Sequence, residues 1–230
     1  DGNGNLISRE DPRGAKTSIA YDKRNLPVAI TAASGATTAF TYDALGRLTS
    51  ETNALGHQTR YEYDALGRLT KVYDALSQVT EFAYDKAGRL VRVTKPNGAV
   101  WHMVYDRRGL LVATVDPLGN RTEFVRDELG RVTVFKDETG AATTYTYDAL
   151  GRVRTITNAL GHTTTFTYDP LGRVTAITDA KGQVTSYEYD LLGRLTGVTN
   201  ALGHKTTYTY DAVGNLTAKT DANGRVTRYE

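Results

Sequence analysis

Residues 42–49 read Tyr-Asp-Ala-Leu-Gly-Arg-Leu-Thr, and residues 63–70 repeat them letter for letter. The same frame extends in both directions. Tyr-Asp occurs at 21, 42, 63, 84, 105, 147, 168, 189 and 210, all multiples of 21. At the missing place stands Arg126, and Asp127 still follows it. A constant period of this length marks a repeat architecture and governs every later reading. The 230 residues hold eleven registers less one residue, with no insertion or deletion.

With the Tyr counted as position one, position two is Asp in all eleven registers. Position five is Gly in ten of eleven (Asn25 is the exception), and position fifteen is Gly in ten of eleven (Ser77 is the exception). These two columns take 20 of the 22 glycines, leaving only Gly2 and Gly197. The chain therefore reverses twice per repeat. Asp or Asn opens all but two of the reversals (Ala32 and Lys95 stand there instead) by accepting a hydrogen bond from the backbone two residues on. A Gly three residues later, at positive φ, closes a three-residue hairpin loop with a bulge. Asn25 suits that conformation next best. Ser77 is a poorer substitute, and its turn is expected to be distorted.

Between the reversals lie short runs rich in Thr, Val, Ile and Tyr, such as Arg-Leu-Thr at 47–49 and His-Gln-Thr-Arg-Tyr-Glu-Tyr at 57–63. They alternate with period two, the strand signature, and no helical periodicity is sustained. The expected fold is all-β: a repetitive antiparallel β-hairpin ribbon of roughly 21 or 22 strands of ~6 residues, about 100 Å long and ~20 Å wide. Positions eighteen, twenty and one share a face. Position eighteen is Thr in every register except at Trp101, and position twenty is Phe or Tyr in nine registers. Position seven is Leu or Val in ten of eleven, with Pro27 the exception, and position ten is often apolar. These ladders read as packing that the fold itself requires, because same-face cross-strand pairs stabilise a sheet; a sugar-binding row is the alternative.

Composition excludes several classes. With no Cys there is no disulfide framework, thiolate metal site or Cys nucleophile. Basic and acidic residues nearly balance at 28 against 26, which argues against nucleic-acid binding. No apolar run is long enough for a membrane helix, and residues 1–4 carry no signal-peptide pattern. Equivalent Asp residues of neighbouring repeats would stand ~10 Å apart, too far for a paired-carboxylate mechanism. Each is also accounted for as a turn residue. Arg at position six accompanies the Asp in seven registers, which reads as ion pairing rather than an anion-binding row. His57, His162 and His204 share one column too widely spaced to share a metal. The expectation is a chain that is not an enzyme and holds no metal or cofactor.

The motif Tyr-Asp-Ala-Leu-Gly-Arg-Leu-Thr, with Tyr-Glu-Tyr-Asp-Leu-Leu-Gly-Arg at 187–194, resembles the YD repeat of the Rhs family, and the resemblance covers the whole chain. That family comprises bacterial polymorphic toxins, the C components of insecticidal toxin complexes, and teneurin cell-surface proteins. The resemblance implies a β-ribbon spiralling into a hollow shell that, in the toxins, encloses a C-terminal toxin domain. It also implies a link to carbohydrate. Rhs toxins carry an aspartyl self-cleavage motif whose first four letters recur at Asp116-Pro117-Leu118-Gly119 and Asp169-Pro170-Leu171-Gly172. Both sit in frame with the repeat and read as turns.

The reading is therefore one array, 1–230, of about eleven YD repeats with no other domain, expected to be a segment of a larger protein. Its expected role is structural, as part of a secreted or cell-surface bacterial shell that encloses or scaffolds a toxin domain in interbacterial competition. An extracellular carbohydrate-binding or adhesion module is the alternative. Expected partners are the toxin domain or the remaining shell of the parent protein, with carbohydrate under the alternative. No nucleic acid and no membrane insertion are expected. Exposed terminal strands are expected to associate edge to edge. The repeat signature is carried by Tyr42, Asp43, Gly46 and Arg47; Tyr63, Asp64, Gly67 and Arg68; Tyr147, Asp148, Gly151 and Arg152; and Tyr189, Asp190, Gly193 and Arg194. The register that departs most contains Trp101, His102, Arg107 and Arg108, the candidate ligand residues.

Overall fold

A computed structural model of the chain describes residues 1–229. These form 22 strands, numbered β1 to β22 in chain order, and no helix. Two compact units divide at Gly119 and Asn120. The first runs from β1 (Ser8–Glu10) to β11 (Leu111–Val115), the second from β12 (Arg121–Arg126) to β22 (Val226–Arg228). Within each unit every strand pairs antiparallel with its neighbours in the chain. Apart from the three-residue strands β1 and β22, strand lengths alternate between six and five residues.

The turns explain this regularity. At 43–47 the Gly46 N–H donates to the Asp43 carbonyl (3.1 Å) and the Asp43 N–H to the Arg47 carbonyl (3.0 Å). Asp43 Oδ1 accepts from the N–H groups of Leu45 and Arg47, both at 2.9 Å. Gly46 has φ 82°, the left-handed conformation in which a Cβ is penalised. The second reversal copies this with Asn53, whose Oδ1 accepts from Leu55 (2.9 Å) and His57 (3.0 Å). Both Asp-Pro-Leu-Gly sequences are turns of the same build, with Gly119 and Gly172 N–H donating to the Asp116 and Asp169 carbonyls at 3.0 Å.

The expected distortion at Ser77 is not found. Ser77 adopts φ 60°, and its N–H reaches the Asp74 carbonyl at 2.9 Å. Asp74 Oδ1 holds Leu76 and Gln78 at 2.9 and 2.8 Å as in the glycine turns. With the Asp74 N–H donating to the Gln78 carbonyl at 3.0 Å, four hydrogen bonds outweigh the left-handed penalty of one small residue, ~1–2 kcal/mol. The strain sits in one dihedral and leaves the turn's shape intact.

The two hairpin types differ in their ladders. Between β6 (Gln58–Tyr63) and β7 (Leu69–Tyr73), Tyr61 faces Val72 and Glu62 faces Lys71, but Tyr63 faces Leu69. Thr70 is the extra residue of a β-bulge. Every Tyr-side hairpin in either unit repeats this shift, as at Glu188–Gly197 and Tyr189–Leu195. The hairpins closed by the other turn run in unbroken register, as from β7 to β8 (Val79–Tyr84). Leu69 and Val72, three residues apart, would point to opposite faces of a regular strand. The bulge returns both to the face of Tyr61 and Tyr63.

Each unit is a single layer. Among the described residues only Ala113 is a fully buried apolar side chain, and no large side chain is fully buried. The aromatic and aliphatic columns are half-buried against neighbours on their own face, as the alternation along β6 shows. The opposite face is polar. Thr157 and Thr163 hydroxyls meet at 2.8 Å, the Tyr73 hydroxyl donates to Glu62 (2.8 Å), and Lys136 pairs with Glu123 (3.4 Å). Without a second layer, stability rests on ladder hydrogen bonds, on pairs worth ~0.2–1 kcal/mol each, and on ties between successive turns.

Candidate functional site: the linked turns of the YD edge

Those ties are made by the signature residues. The bulge leaves the end of β5 (Leu48–Thr52) out of register with β6, since only Ser50 to Thr52 pair across that ladder. The Leu48 carbonyl is thereby free to face the Tyr63 hydroxyl, which donates to it at 2.8 Å. The contact recurs fifteen residues back in the chain: Tyr42 to Pro27 (2.8 Å), Tyr84 to Leu69 (2.8 Å), Tyr147 to Val132 (2.6 Å), Tyr189 to Val174 (3.0 Å). A phenol is needed here, whereas Phe serves at position twenty. This bond is absent from the sequence reading. Its signal was the contrast between one column that holds Tyr but never Phe, with Arg126 its one departure, and another mixing Tyr with Phe.

The arginine acts in three ways. Arg47 Nε donates to Asp43 Oδ2 of its own turn at 2.6 Å. Its Nη1 donates to the carbonyl of Asp64, one repeat on, at 3.2 Å. Its guanidinium lies 4.9 Å from the centre of the Tyr63 ring. Arg68, Arg152 and Arg194 repeat the set with Asp85, Asp169 and Asp211. The expected ion pairing is thus present, and the same side chain also bridges to the next turn.

Where position six is not Arg, other residues supply the bond to Asp. Leu26 and Leu110 occupy that place in two registers, and in both an Arg stands two residues earlier. Arg24 Nε reaches Asp22 Oδ2 at 3.0 Å and its Nη1 reaches the Asp43 carbonyl at 2.6 Å. Arg108 Nε reaches Asp106 Oδ2 at 3.0 Å. Asn215 makes the bond to Asp211 through its amide (2.9 Å). Arg126, at the one non-Tyr place, donates instead to the Gly130 carbonyl at 2.8 Å.

These donors fix the charge of the Asp column. The Arg47 N–H, helped by the Arg47 guanidinium and the Leu45 N–H, holds the Asp43 carboxyl below the usual carboxylate range against partial desolvation. The same balance lowers Asp64, Asp85, Asp148 and Asp190. At Asp169 desolvation is the largest influence and opposes, yet the Arg173 donors still bring the carboxyl down.

The four candidate ligand residues do not converge. Trp101, 36% exposed on β10 (Val100–Tyr105), stands opposite Val93. His102, the next residue, lies on the other face, opposite Arg92 and Val115. Arg107 is exposed in the following turn, and Arg108 is engaged with Asp106. His57, His162 and His204 follow the Asn turns, each main-chain N–H 3.0 Å from the Asn Oδ1. Among the described residues no three His, Asp or Glu side chains are placed to hold one metal.

A single-layered hairpin array with recurring, mutually linked turns defines a structural repeat protein. A family model described as Teneurin YD-shell matches residues 9–124, and one described as RHS Repeat matches 127–163, 147–184, 168–205 and 210–230. The chain belongs to the YD-shell and Rhs repeat family. Comparison with the curated proteins found no match. Among solved structures, the crystal structure of TcdB2-TccC3 is similar over 95% of this chain and 14% of its own, with a TM-score of 0.80 and 18% identity. TcdB2-TccC3 without its hypervariable C-terminal region gives 0.78 and 19% over 95% of this chain and 13% of its own. The Photorhabdus luminescens Tc holotoxin pore, carrying a TccC3 substitution, gives 0.58 and 16% over 98% of this chain and 16% of its own. At such identities the likeness is one of fold. The chain spans about one-seventh of the length of the TcdB2-TccC3 chains it matches.

Proposed function

We propose that this chain is a wall segment of a Rhs shell that encloses a C-terminal toxin domain in an exported bacterial protein. The observation that carries the reading is the match to TcdB2-TccC3 along 95% of the chain, which is as good without the hypervariable C-terminal region (TM-score 0.78) as with it (0.80). The likeness therefore does not depend on the hypervariable C-terminal region. The wall reading also fits a chain whose signature side chains are occupied with one another. The Asp carboxylates accept turn N–H and guanidinium donors, the Tyr hydroxyls cap main-chain carbonyls, and no catalysis is assigned to either column.

Limited proteolysis of the parent protein tests it. A domain following the repeats should resist protease in the intact parent and be cleaved readily when expressed alone. Equal susceptibility in the two settings would remove the enclosure reading.

A second reading, contact with carbohydrate, is favoured by Trp101, which replaces Thr on the aromatic face and remains 36% exposed. Glycan binding lost on Trp101→Ala would support it, and absence of binding to every glycan on an array would end it.

A further inference from the structure

On the aromatic face of the second unit the repeat is broken by two residues close together. Position ten is aliphatic, polar or charged in every other register, and only Phe135 puts an aromatic ring there. Position one is Tyr at every other occurrence, and only Arg126 puts a charge there. The two lie on neighbouring strands, β12 (Arg121–Arg126) and β13 (Val132–Lys136). The Phe135 ring meets Phe124 across the ladder, with centroids 5.6 Å apart and planes tilted by 52°. On its other side β13 pairs with β14 (Ala142–Tyr147), where the residue facing Phe135 is the short Thr143. A groove of about 270 Å³ opens over these strands and β15 (Val153–Thr157). It is lined by Phe124, Val132, Phe135, Tyr145, Tyr147 and Val153. The Arg126 guanidinium lies 6.0 Å from the centre of the Phe124 ring, and its Nη1 donates to the Gly130 carbonyl at 2.8 Å.

We propose that this groove binds a small planar aromatic anion, its ring among Phe124, Phe135 and Tyr145 and its acidic group toward Arg126. Three observations point to that chemistry. The first is the lining: four rings and two valines, a surface that takes another ring edge to face or offset. The volume falls just below the ~300–1,000 Å³ of drug-sized sites, which limits the occupant to one or two fused rings. The second is charge. Asp127 is paired with Arg131 at 2.7 Å, and the Arg131 guanidinium lies 4.4 Å from the centre of the Tyr147 ring, as in other registers. Arg126 adds a positive charge where other registers carry a neutral phenol. A guanidinium at the edge of an apolar groove makes strong, charge-assisted hydrogen bonds to an anion. The third is singularity. A column that recurs in every register serves the fold, whereas Phe135 and Arg126 occur once and together. The inference rests neither on enclosure of a toxin nor on carbohydrate contact at Trp101, so each can fail alone.

The probe is anilinonaphthalenesulfonate, a fused aromatic ring with one anionic group, titrated into this chain by fluorescence. One probe should bind per chain. Its neutral relative, phenylnaphthylamine, should bind at least ~tenfold more weakly, as loss of a charge-assisted hydrogen bond requires. Phe135→Val and Arg126→Tyr put back residues that other registers hold, such as Val72 and Tyr147, so circular dichroism should not change. Phe135→Val should weaken both probes about tenfold. Arg126→Tyr should weaken only the anionic probe, to the affinity of the neutral one. Absence of binding would overturn the proposal. So would several equivalent sites along the aromatic face, equal affinity of the two probes for the unaltered chain, or a single site that neither variant moves.

Discussion

Glu188 and Lys205 lie on strands that are not neighbours, β18 (Val184–Tyr189) and β20 (Lys205–Tyr210), yet the Lys205 ammonium stands 2.7 Å from both carboxylate oxygens of Glu188. They meet across β19 (Leu195–Thr199), over Gly197, which pairs with Glu188 on one side and Thr207 on the other. A Cβ on Gly197 would come within 2.9 Å of Glu188 Oε2 and 3.1 Å of Lys205 Cε. This glycine, outside both turn columns, makes room for an ion pair spanning three strands.

Gly197→Ala should therefore displace the pair at little net cost. The strand gains ~0.5–1 kcal/mol from losing a flexible glycine, while an exposed ion pair is worth ~0–1 kcal/mol. Stability by urea unfolding is expected to move by less than about 0.5 kcal/mol, and its dependence on salt should shrink. A large loss would show that the backbone itself, rather than the pair, needs glycine there.

Removing one phenol should unlatch one repeat. Tyr63→Phe deletes the bond to the Leu48 carbonyl and should cost about 0.5–1.5 kcal/mol. Tyr61→Phe, at the place where Phe40, Phe82 and Phe166 stand in other registers, should be close to neutral. Denaturant midpoints of the two variants measure the difference directly.

Ser77→Gly should stabilise. The position is held at φ 60° by its turn, and glycine removes a left-handed penalty of ~1–2 kcal/mol while returning part of it as lost chain entropy. A gain of about 0.5–1 kcal/mol is expected. Asn25→Gly should gain less, because Asn25 Oδ1 accepts from the Asn3 and Asn5 amides at 2.9 and 2.8 Å.

Arg68→Lys and Arg68→Ala should be ranked by thermal unfolding. Lysine keeps charge but cannot reach Asp64 and the Asp85 carbonyl in one planar fork. Alanine also loses the stack on Tyr84, worth ~0.5–1 kcal/mol. The expected order of stability is wild type, then Lys, then Ala; a lysine variant equal to wild type would reduce the arginine to a point charge.

The turns also set the response to pH. The Asp carboxyls of the YD column have folded values below their ordinary 3.8, through main-chain N–H groups and then arginine. Their contribution is complete above that ordinary value and is lost as pH falls through the lower folded values. Unfolding below about pH 4 should therefore be steep and become shallower in variants lacking the position-six Arg. At the alkaline end burial raises Tyr42 above its ordinary 10.0, so its contribution fades as pH rises through that raised value.

Much of this was legible because turn chemistry is local. Asp43 and Gly46 specify their reversal within five residues, and alternation such as Thr59, Tyr61, Tyr63 assigns a face. What escaped depends on strands brought together by folding. The bulge itself was expected, but that it brings Leu69 and Val72, three residues apart, to one face was not. Leu26 beside Arg24 and Leu110 beside Arg108 signalled a replaced ion pair, visible only as coupled departures from the repeat. Arg108 entered as a candidate ligand residue because it was unusual, and the structure shows it reproducing the ordinary bond to Asp. The exposure of Leu150 and its equivalents could not be read at all, since any residue fits that turn position.

The tie from each Tyr hydroxyl to a carbonyl fifteen residues earlier has a consequence for how such a gene can change length. Every repeat that opens with Tyr offers its predecessor a phenol and its successor a carbonyl, so a whole 21-residue cassette of this kind can be copied in or lost by unequal recombination with both junctions already matched. A single-codon insertion in a strand would instead turn its side chains over and break the ties on either side. Growth of the array by duplication is therefore quantised, in the protein as in the DNA.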